Sequence, residues 1–316
     1  MKNNVKKGLS ALLSVLIILL AGVLLYNPDY FDDMLPAWMS ESAISVLNPD
    51  EQSQQETPPE VSGTFSAHFI NVGNADAILL ECNGKFALID AGENNQGLLV
   101  SQYLAKQGVS ELEFAIGTHP HSDHIGGLDY VLSEIPTKTV YMPDAPHTTK
   151  TYSDLISVIK NEEIELVVPT VGDVFYLDDA VCIVLSPTRD YDDLNDDSIV
   201  IRVVFGNTSF LLTGDATRIA EEDMLNSGLV LDSDVLKVGH HGSYTSSSYV
   251  FLREVMPKYA VITCGENNNY GHPHKEVISR LDDLQKVHGT QTYRSDINGN
   301  IITTSDGDEI TVVTQK

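Results

Sequence analysis

The first hydrophobic feature of the chain is an almost unbroken apolar run from Leu9 to Tyr26, with only Ser10 and Ser14 as polar members. That length is near the lower limit for a membrane-spanning helix. Lys2, Lys6 and Lys7 precede the run and acidic residues follow it, so the positive-inside rule keeps the N-terminus in the cytoplasm and exports the remainder. A cleaved signal peptide is the competing reading. However, no A-x-A-like site follows, Ala21-Gly22-Val23 lacks a lipoprotein cysteine, and the run exceeds the usual signal-peptide core. Residues 1–26 are therefore expected to be a signal anchor. Residues 27–62 lose the pattern and are rich in Asp, Glu, Gln, Ser and Pro, ending in Gln54-Gln-Glu-Thr-Pro-Pro-Glu60. Such a composition buries too little apolar surface to order itself and reads as a disordered tether.

From residue 63 onward the pattern becomes regular. Short β-branched runs at 67–72, 77–81 and 85–90 predict a meander, and a helix is expected over 97–107. A strand over 112–118 leads into a histidine cluster. Further strands are predicted at 138–142, 165–168, 181–185, 198–205 and 208–213, the last two joined at Gly206-Asn207, with helices near 151–161 and 216–226. Then come a strand at 234–238, a helix at 246–256, a strand at 259–264, a helix at 274–287 and two closing strands around Asn298-Gly299. Strands interleaved with helices and hairpin signals imply mixed α/β layers and not a purely parallel sheet. Residues 63–316 thus form one expected domain.

Charge narrows the chemistry. The chain has 316 residues and a formal charge of −26, and from residue 63 onward 37 acidic residues face only 16 basic ones. This argues against a broad basic nucleic-acid surface, though metal ions can supply positive charge at a site. Cys82, Cys182 and Cys264 are too few and too far apart for a disulfide framework or a zinc ribbon, and they read as small buried hydrophobes. No G-x-S-x-G elbow, P-loop or dinucleotide fingerprint is present, so no nucleotide cofactor is expected.

The strongest chemical signal is Thr118-His-Pro-His-Ser-Asp-His-Ile-Gly-Gly127, four metal-ligand side chains within six residues after an apolar strand. Imidazoles two residues apart in an extended turn point to one side and can grip one borderline metal. Asp123 and His124, opening the next turn, can face a second metal, and the Gly-Gly pair lets backbone approach closely behind them. His68, His147 and His288 lie outside such motifs and read as structural.

These residues, together with Phe69-Ile-Asn-Val-Gly-Asn-Ala-Asp-Ala77, Leu88-Ile-Asp-Ala-Gly92, Leu211-Leu-Thr-Gly-Asp215, Leu236-Lys-Val-Gly-His-His-Gly-Ser243 and Tyr270-Gly-His-Pro-His274, resemble the metallo-β-lactamase-fold hydrolases. The branch they resemble is the C-terminal domain of ComEC-type DNA-uptake proteins. The resemblance implies an αββα sandwich over roughly residues 64 to 313. It assigns His119 and His121 to one metal, Asp123 and His124 to the other, Asp215 as the bridging carboxylate, and Asp90 as the acid that orients ligand imidazoles. The superfamily's usual third histidine of the first site is missing, and the region reads Asp193-Leu-Asn-Asp-Asp-Ser198. His240 can supply that ligand, or the first site is incomplete. His240 is the expected ligand, with Asp123 and His241 as catalytic groups. His272 is the expected last ligand of the second site, with His274 as the alternative.

The implied function is an extracytoplasmic hydrolase in which two divalent ions, zinc or else manganese, activate water for attack on a phosphodiester, with DNA as the family-implied substrate. Hydrolysis of small or cell-wall phosphodiesters, as in phosphorylcholine-esterase-like relatives, is the alternative. A lactonase or β-lactamase and a non-catalytic metal-stabilised binding module come after it. The hydroxyls of Ser243, Thr245 and Ser246 and the run Asn267–Asn269 are candidates for holding a phosphate or sugar. Binding DNA would require a local basic patch, for which Lys237, Arg253, Lys258 and Lys275 are the candidates.

Overall fold

Alternate residues of single strands enter different hydrophobic clusters, and this sets the layering. Phe65, Ala67 and Phe69 face one core, as do Ile78, Leu80 and Cys82, while the intervening Leu79 enters a second core. Likewise Phe210 and Leu212 join the first core and Leu211 a third. Strands buried on both faces read as near-continuous apolar runs. The computed structural model describes residues 61–316. The anchor and the tether up to residue 60 lie outside them. Among the described residues no helix is long and apolar enough to cross a membrane.

The first half contains β1 Phe65–Phe69, β2 Ile78–Cys82, β3 Lys85–Ile89, α1 Gly97–Lys106 and β4 Leu112–Ile116. It continues with α2 Ser122–Ile125, α3 Leu128–Glu134, β5 Thr137–Tyr141, α4 Lys150–Asn161 and β6 Glu165–Val167. Next come β7 Val174–Leu177, β8 Ala180–Ser186, β9 Val200–Phe205, β10 Thr208–Leu212, α5 Arg218–Asn226 and β11 Val235–Lys237. The chain closes with α6 Tyr249–Val255, β12 Tyr259–Ile262, α7 Lys275–His288, β13 Gln291–Arg294, α8 Ser295–Asn298, β14 Asn300–Ser305 and β15 Ile310–Gln315.

Eight strands form one sheet in the order β15-β14-β1-β2-β3-β4-β5-β6, and seven form the other as β13-β12-β11-β10-β9-β8-β7. Both are mixed: β1, β2 and β3 are the antiparallel meander expected, whereas β3, β4, β5 and β6 run parallel. The first core lies between the sheets. The second joins the outer face of the larger sheet to α1, α3 and α4, and the third joins the smaller sheet to α5, α6 and α7. Helix, sheet, sheet, helix is the four-layer arrangement that the resemblance implied.

Several boundaries differ from the sequence reading. The strands around Asn298-Gly299 do not pair with each other: β13 belongs to the smaller sheet and β14 to the larger. Gly299 (φ 70°) ends the helical turn α8, and the closing hairpin turns instead at 306–309 around Gly307 (φ 101°). The edge strand β7 escaped notice because it is short and leaves Val174 and Tyr176 exposed. The three cysteines are buried and free, and burial pushes the Cys82 thiol up to about 11.

The Gly126-Gly127 pair connects fold and site. Both have ordinary negative φ, so their need is for space and not for a left-handed backbone. A Cβ on Gly127 would lie 2.3 Å from the Ala91 carbonyl and 2.8 Å from the Gly97 nitrogen. These are backbone atoms that cannot swing aside. Gly127→Ala is expected to lower stability by about 1–3 kcal/mol, read as a lower urea midpoint at unchanged m. An unchanged midpoint would show that the loop has slack.

Candidate metal centre

Five strands of the two sheets end at one edge of the sandwich, and the loops beyond them carry the polar groups. β3 is followed by Asp90, β4 by His119 to His124, β10 by Asp215, β11 by His240 and His241, and β12 by Thr263. Asp76 arrives from the loop after β1, held by its carbonyl on the Gly92 N–H (2.7 Å) and by its own N–H on the Asp123 carbonyl (3.1 Å).

Asp123, His124, Asp215 and His241 each bring a ligand atom within 4.8 Å of the others. His124 Nε2 is 3.3 Å, and His241 Nε2 3.6 Å, from Asp215 Oδ2, and His241 Nε2 is 3.5 Å from Asp123 Oδ2. Donors about 2.0–2.1 Å from one tetrahedral cation lie roughly 3.3 Å apart, so this spacing suits a shared divalent ion. His124 Nε2, His241 Nε2 and Asp215 Oδ1 are buried without a hydrogen-bond partner. Buried polar atoms left unpaired are costly, and a cation held by Asp215 Oδ2 would satisfy both imidazole nitrogens. Beside this group, His119 Nε2 and His121 Nδ1 face each other at 3.0 Å, again the spacing of two donors to one ion.

The imidazoles are oriented from behind. His124 Nδ1 donates to Asp90 Oδ2 (2.7 Å), and Asp90 also accepts from the Thr118 N–H (2.8 Å) and hydroxyl (2.7 Å). This is the orienting role expected of Asp90, with its backbone held at φ 57°. His241 Nδ1 donates to the Thr263 carbonyl (2.9 Å). Each bond engages Nδ1 and aims Nε2 at the cluster, where a bound cation would take the place of the second proton. Burial opposes charge on His124, but the Asp215 and Asp90 carboxylates outweigh it and hold the imidazole well above its ordinary range. Burial would likewise lift Asp215, yet the charges of His241 and His124 hold it well below the usual carboxylate range.

The adjacent histidines separate because both take left-handed backbone, His240 at φ 51° and His241 at φ 53°. His241 turns inward and is fully buried. His240 lies at the cavity wall with Nε2 3.6 Å from Asp215 Oδ2 and Nδ1 3.2 Å from the Thr245 hydroxyl. The geometry therefore gives His241 the position beside Asp123 and His124, and His240 the more open one. In the region that lacks the third histidine, the Ser198 hydroxyl accepts from the Asp215 N–H (3.1 Å) and lies 3.3 Å from His119 Nδ1. His272 stands apart from the four-residue group, its ring centroid 6.2 Å from that of His241. His274 is occupied in accepting the Tyr244 N–H (3.1 Å). Ser243 and Thr245 hydroxyls bond each other and steady His240, and Ser246 donates to the Ala216 carbonyl.

Asp76 was not expected at the centre, and Lys237 was expected as a surface contact for DNA. Lys237 is fully buried, with Nζ 2.7 Å from Asp76 Oδ2, 3.1 Å from the Gly214 carbonyl and 3.9 Å from Asp215 Oδ1. It cannot contact DNA, because β11 is an interior strand and the side chain projects beneath the site. Of the other basic candidates, Lys258 is paired with Asp234 at 2.9 Å and Arg253 lies over the Tyr249 ring. Both Asp76 and Lys237 sit inside the motifs that carried the resemblance.

The cluster opens into a cavity of about 280 Å³ lined by Asn74, Asn195, His121, His240, Tyr270 and His272, with Asp123, Asp215 and His241 at its base. Residues 70–266 match the Metallo-beta-lactamase superfamily, well over half the chain. The chain belongs to that superfamily. Among its relatives, ComE operon protein 3 of Bacillus subtilis (strain 168) is 32% identical over 200 residues, 63% of this chain and 25% of that protein. Competence protein ComA of Neisseria gonorrhoeae is 29% identical over 289 residues, 90% of this chain and 34% of that protein. Recombination protein 2 of Haemophilus influenzae is 32% identical over 224 residues, 69% and 26% of the two chains. The superfamily member is thus related to ComEC-type competence proteins and spans a quarter to a third of their length. Among solved structures, a mutant of the CmlA beta-hydroxylase shares the fold, with a TM-score of 0.50 and 14% identity over 77% of this chain and 54% of that one.

Asp215→Ala is expected to remove at least half of the bound divalent metal, measured by elemental analysis of the purified full chain. Undiminished metal content would remove Asp215 from the centre.

Proposed function

We propose that this metallo-beta-lactamase superfamily hydrolase is a phosphodiesterase that uses two divalent ions, zinc or manganese, with DNA as its substrate. The observation that carries the reading is the convergence of the unpartnered buried His124 and His241 Nε2 atoms on Asp215 Oδ2, with Asp215 and His241 lining an open cavity. Asp123, His124, Asp215 and His241 would hold one ion, and His119 and His121, with Asp215 between, the other. The ions when bound lower the pKa of a water and polarise the phosphoryl oxygens. Asp90 and the Thr263 carbonyl hold the His124 and His241 protons on Nδ1, keeping both rings aimed at the cations. We assign His240, steadied by Thr245 and turned to the cavity, to accept at Nε2 the proton of the attacking water, a role suited to an imidazole that burial holds below its ordinary range.

The names of the competence-protein relatives support DNA. One observation favours a small phosphodiester instead: no Lys or Arg is among the residues lining the cavity, and the domain is strongly acidic. A direct assay separates the two, using bis(p-nitrophenyl) phosphate against single- and double-stranded DNA. His240→Gln is expected to lower kcat by about 10²–10⁴-fold with metal content retained. Loss of metal in that variant would make His240 a ligand, and full activity would remove it from the chemistry.

We further propose that the catalytic domain acts outside the cytoplasmic membrane, supported by the apolar run Leu9–Tyr26 and the lysines before it. A reporter fused after residue 62 should be exported and remain membrane-associated. Cytoplasmic retention would refute export, and release with a new N-terminus would show cleavage.

A further inference from the structure

The rim of the metal cavity carries a row of aromatic rings that the hydrolytic chemistry does not use. Tyr270 lines the cavity and is 67% exposed. Its ring stacks on His272 with centroids 5.5 Å apart and planes at 20°. His272 meets His274 edge-on at 4.9 Å (74°), and His274 meets Tyr244 edge-on at 5.0 Å (68°). Tyr244 is itself 53% exposed. The row therefore runs from the metal cavity outward along the surface.

Tyr270 is not on a loose loop. The Asn268 side chain accepts from the Tyr270 and His272 N–H groups (3.2 and 3.0 Å) and donates to the Gly265 and His272 carbonyls (2.9 and 2.6 Å). At the other end, the Tyr244 carbonyl accepts from Arg218 (2.7 Å). A large flat ring is thus held out toward solvent by a satisfied polar network. Because Tyr270 and His272 are nearly parallel, they extend a stack and do not enclose a void of the kind that surrounds a quaternary ammonium. The free partner that continues such a stack is another planar ring.

We propose that Tyr270 stacks on a nucleobase next to the scissile phosphate, with Tyr244 as a second exposed ring farther along the rim. The substrate class is then a single-stranded nucleic acid end, gripped by base stacking and not by a basic groove. The inference rests on the phosphodiester reading in taking the metal cavity as the place of cleavage. It also explains how an acidic domain can hold a polyanion: every base has a π-face, so stacking tolerates sequence and needs no lysine track.

The test compares binding of a short fluorescent oligothymidylate and an abasic oligomer with the same number of phosphates, using the full chain and fluorescence anisotropy. Wild type should prefer the thymidylate by about 5- to 50-fold. Its log–log salt slope should be shallower than about −1.5, the value for two phosphate contacts on a single strand. Tyr270→Ala should abolish the preference and leave abasic binding unchanged, whereas Tyr270→Phe should retain it. Equal binding of both oligomers by wild type, or an unaltered preference in Tyr270→Ala, would overturn the proposal. Hydrolysis of methyl p-nitrophenyl phosphate, measured in parallel, judges the phosphodiester reading separately. Turnover without base preference sinks the stacking alone, and base preference without turnover supports the stacking while sinking that reading.

Discussion

The Asp90 carboxylate is the interaction on which the centre depends. It is fully buried and accepts three hydrogen bonds, two from Thr118 and one from His124. Those bonds tie the end of β3 to the loop after β4, the loop that carries every ligand from His119 to His124. A carboxylate in such a place is expensive to ionise unless its oxygens are fully engaged, and burial raises Asp90 above its usual range even against the charge on His124. The histidine loop is thereby fixed before any ion arrives, which is the preorganisation that a metal site requires.

A second constraint is charge balance beneath the ligands. Asp76, Asp90, Asp123 and Asp215 crowd one edge of the sandwich, and among the described residues Lys237 brings a permanent cation to them, 2.7 Å from Asp76. Its pairing with Asp76 leaves Asp215 and Asp123 as the carboxylates facing the cavity. A buried pair of this kind costs several kcal/mol when one partner is removed, because the other is left uncompensated. Lys237 therefore belongs to the architecture of the site, although its residue type and position in the sequence suggested a surface contact.

The acidity of the domain and the aromatic rim of the cavity belong together. Long-range repulsion of a polyanion fades over a Debye length of about 8 Å at physiological ionic strength, so what matters is contact. At contact range the cavity offers imidazoles, amides and a tyrosine ring in place of ammonium groups. The proposed recognition through flat faces would suit a site whose positive charge came from bound ions.

The amino-acid sequence by itself determined whatever is local. The two-sided burial of the strands appears as continuous apolar runs, and the candidate ligands from His119 to His124 lie together in one short loop, so their closeness was legible. Asp215 was legible as well, since it directly follows a strand whose position the apolar pattern gives. Tertiary structure decided whatever depends on direction or on distant partners. His240 and His241 are neighbours with identical side chains, and only their left-handed backbone sends one inward and the other to the cavity wall. Lys237 is buried because β11 lies between β10 and β12, a pairing between segments far apart in the chain. The strands flanking Asn298-Gly299 joined different sheets for the same reason: strand propensity is local, while the choice of partner is made by the whole fold.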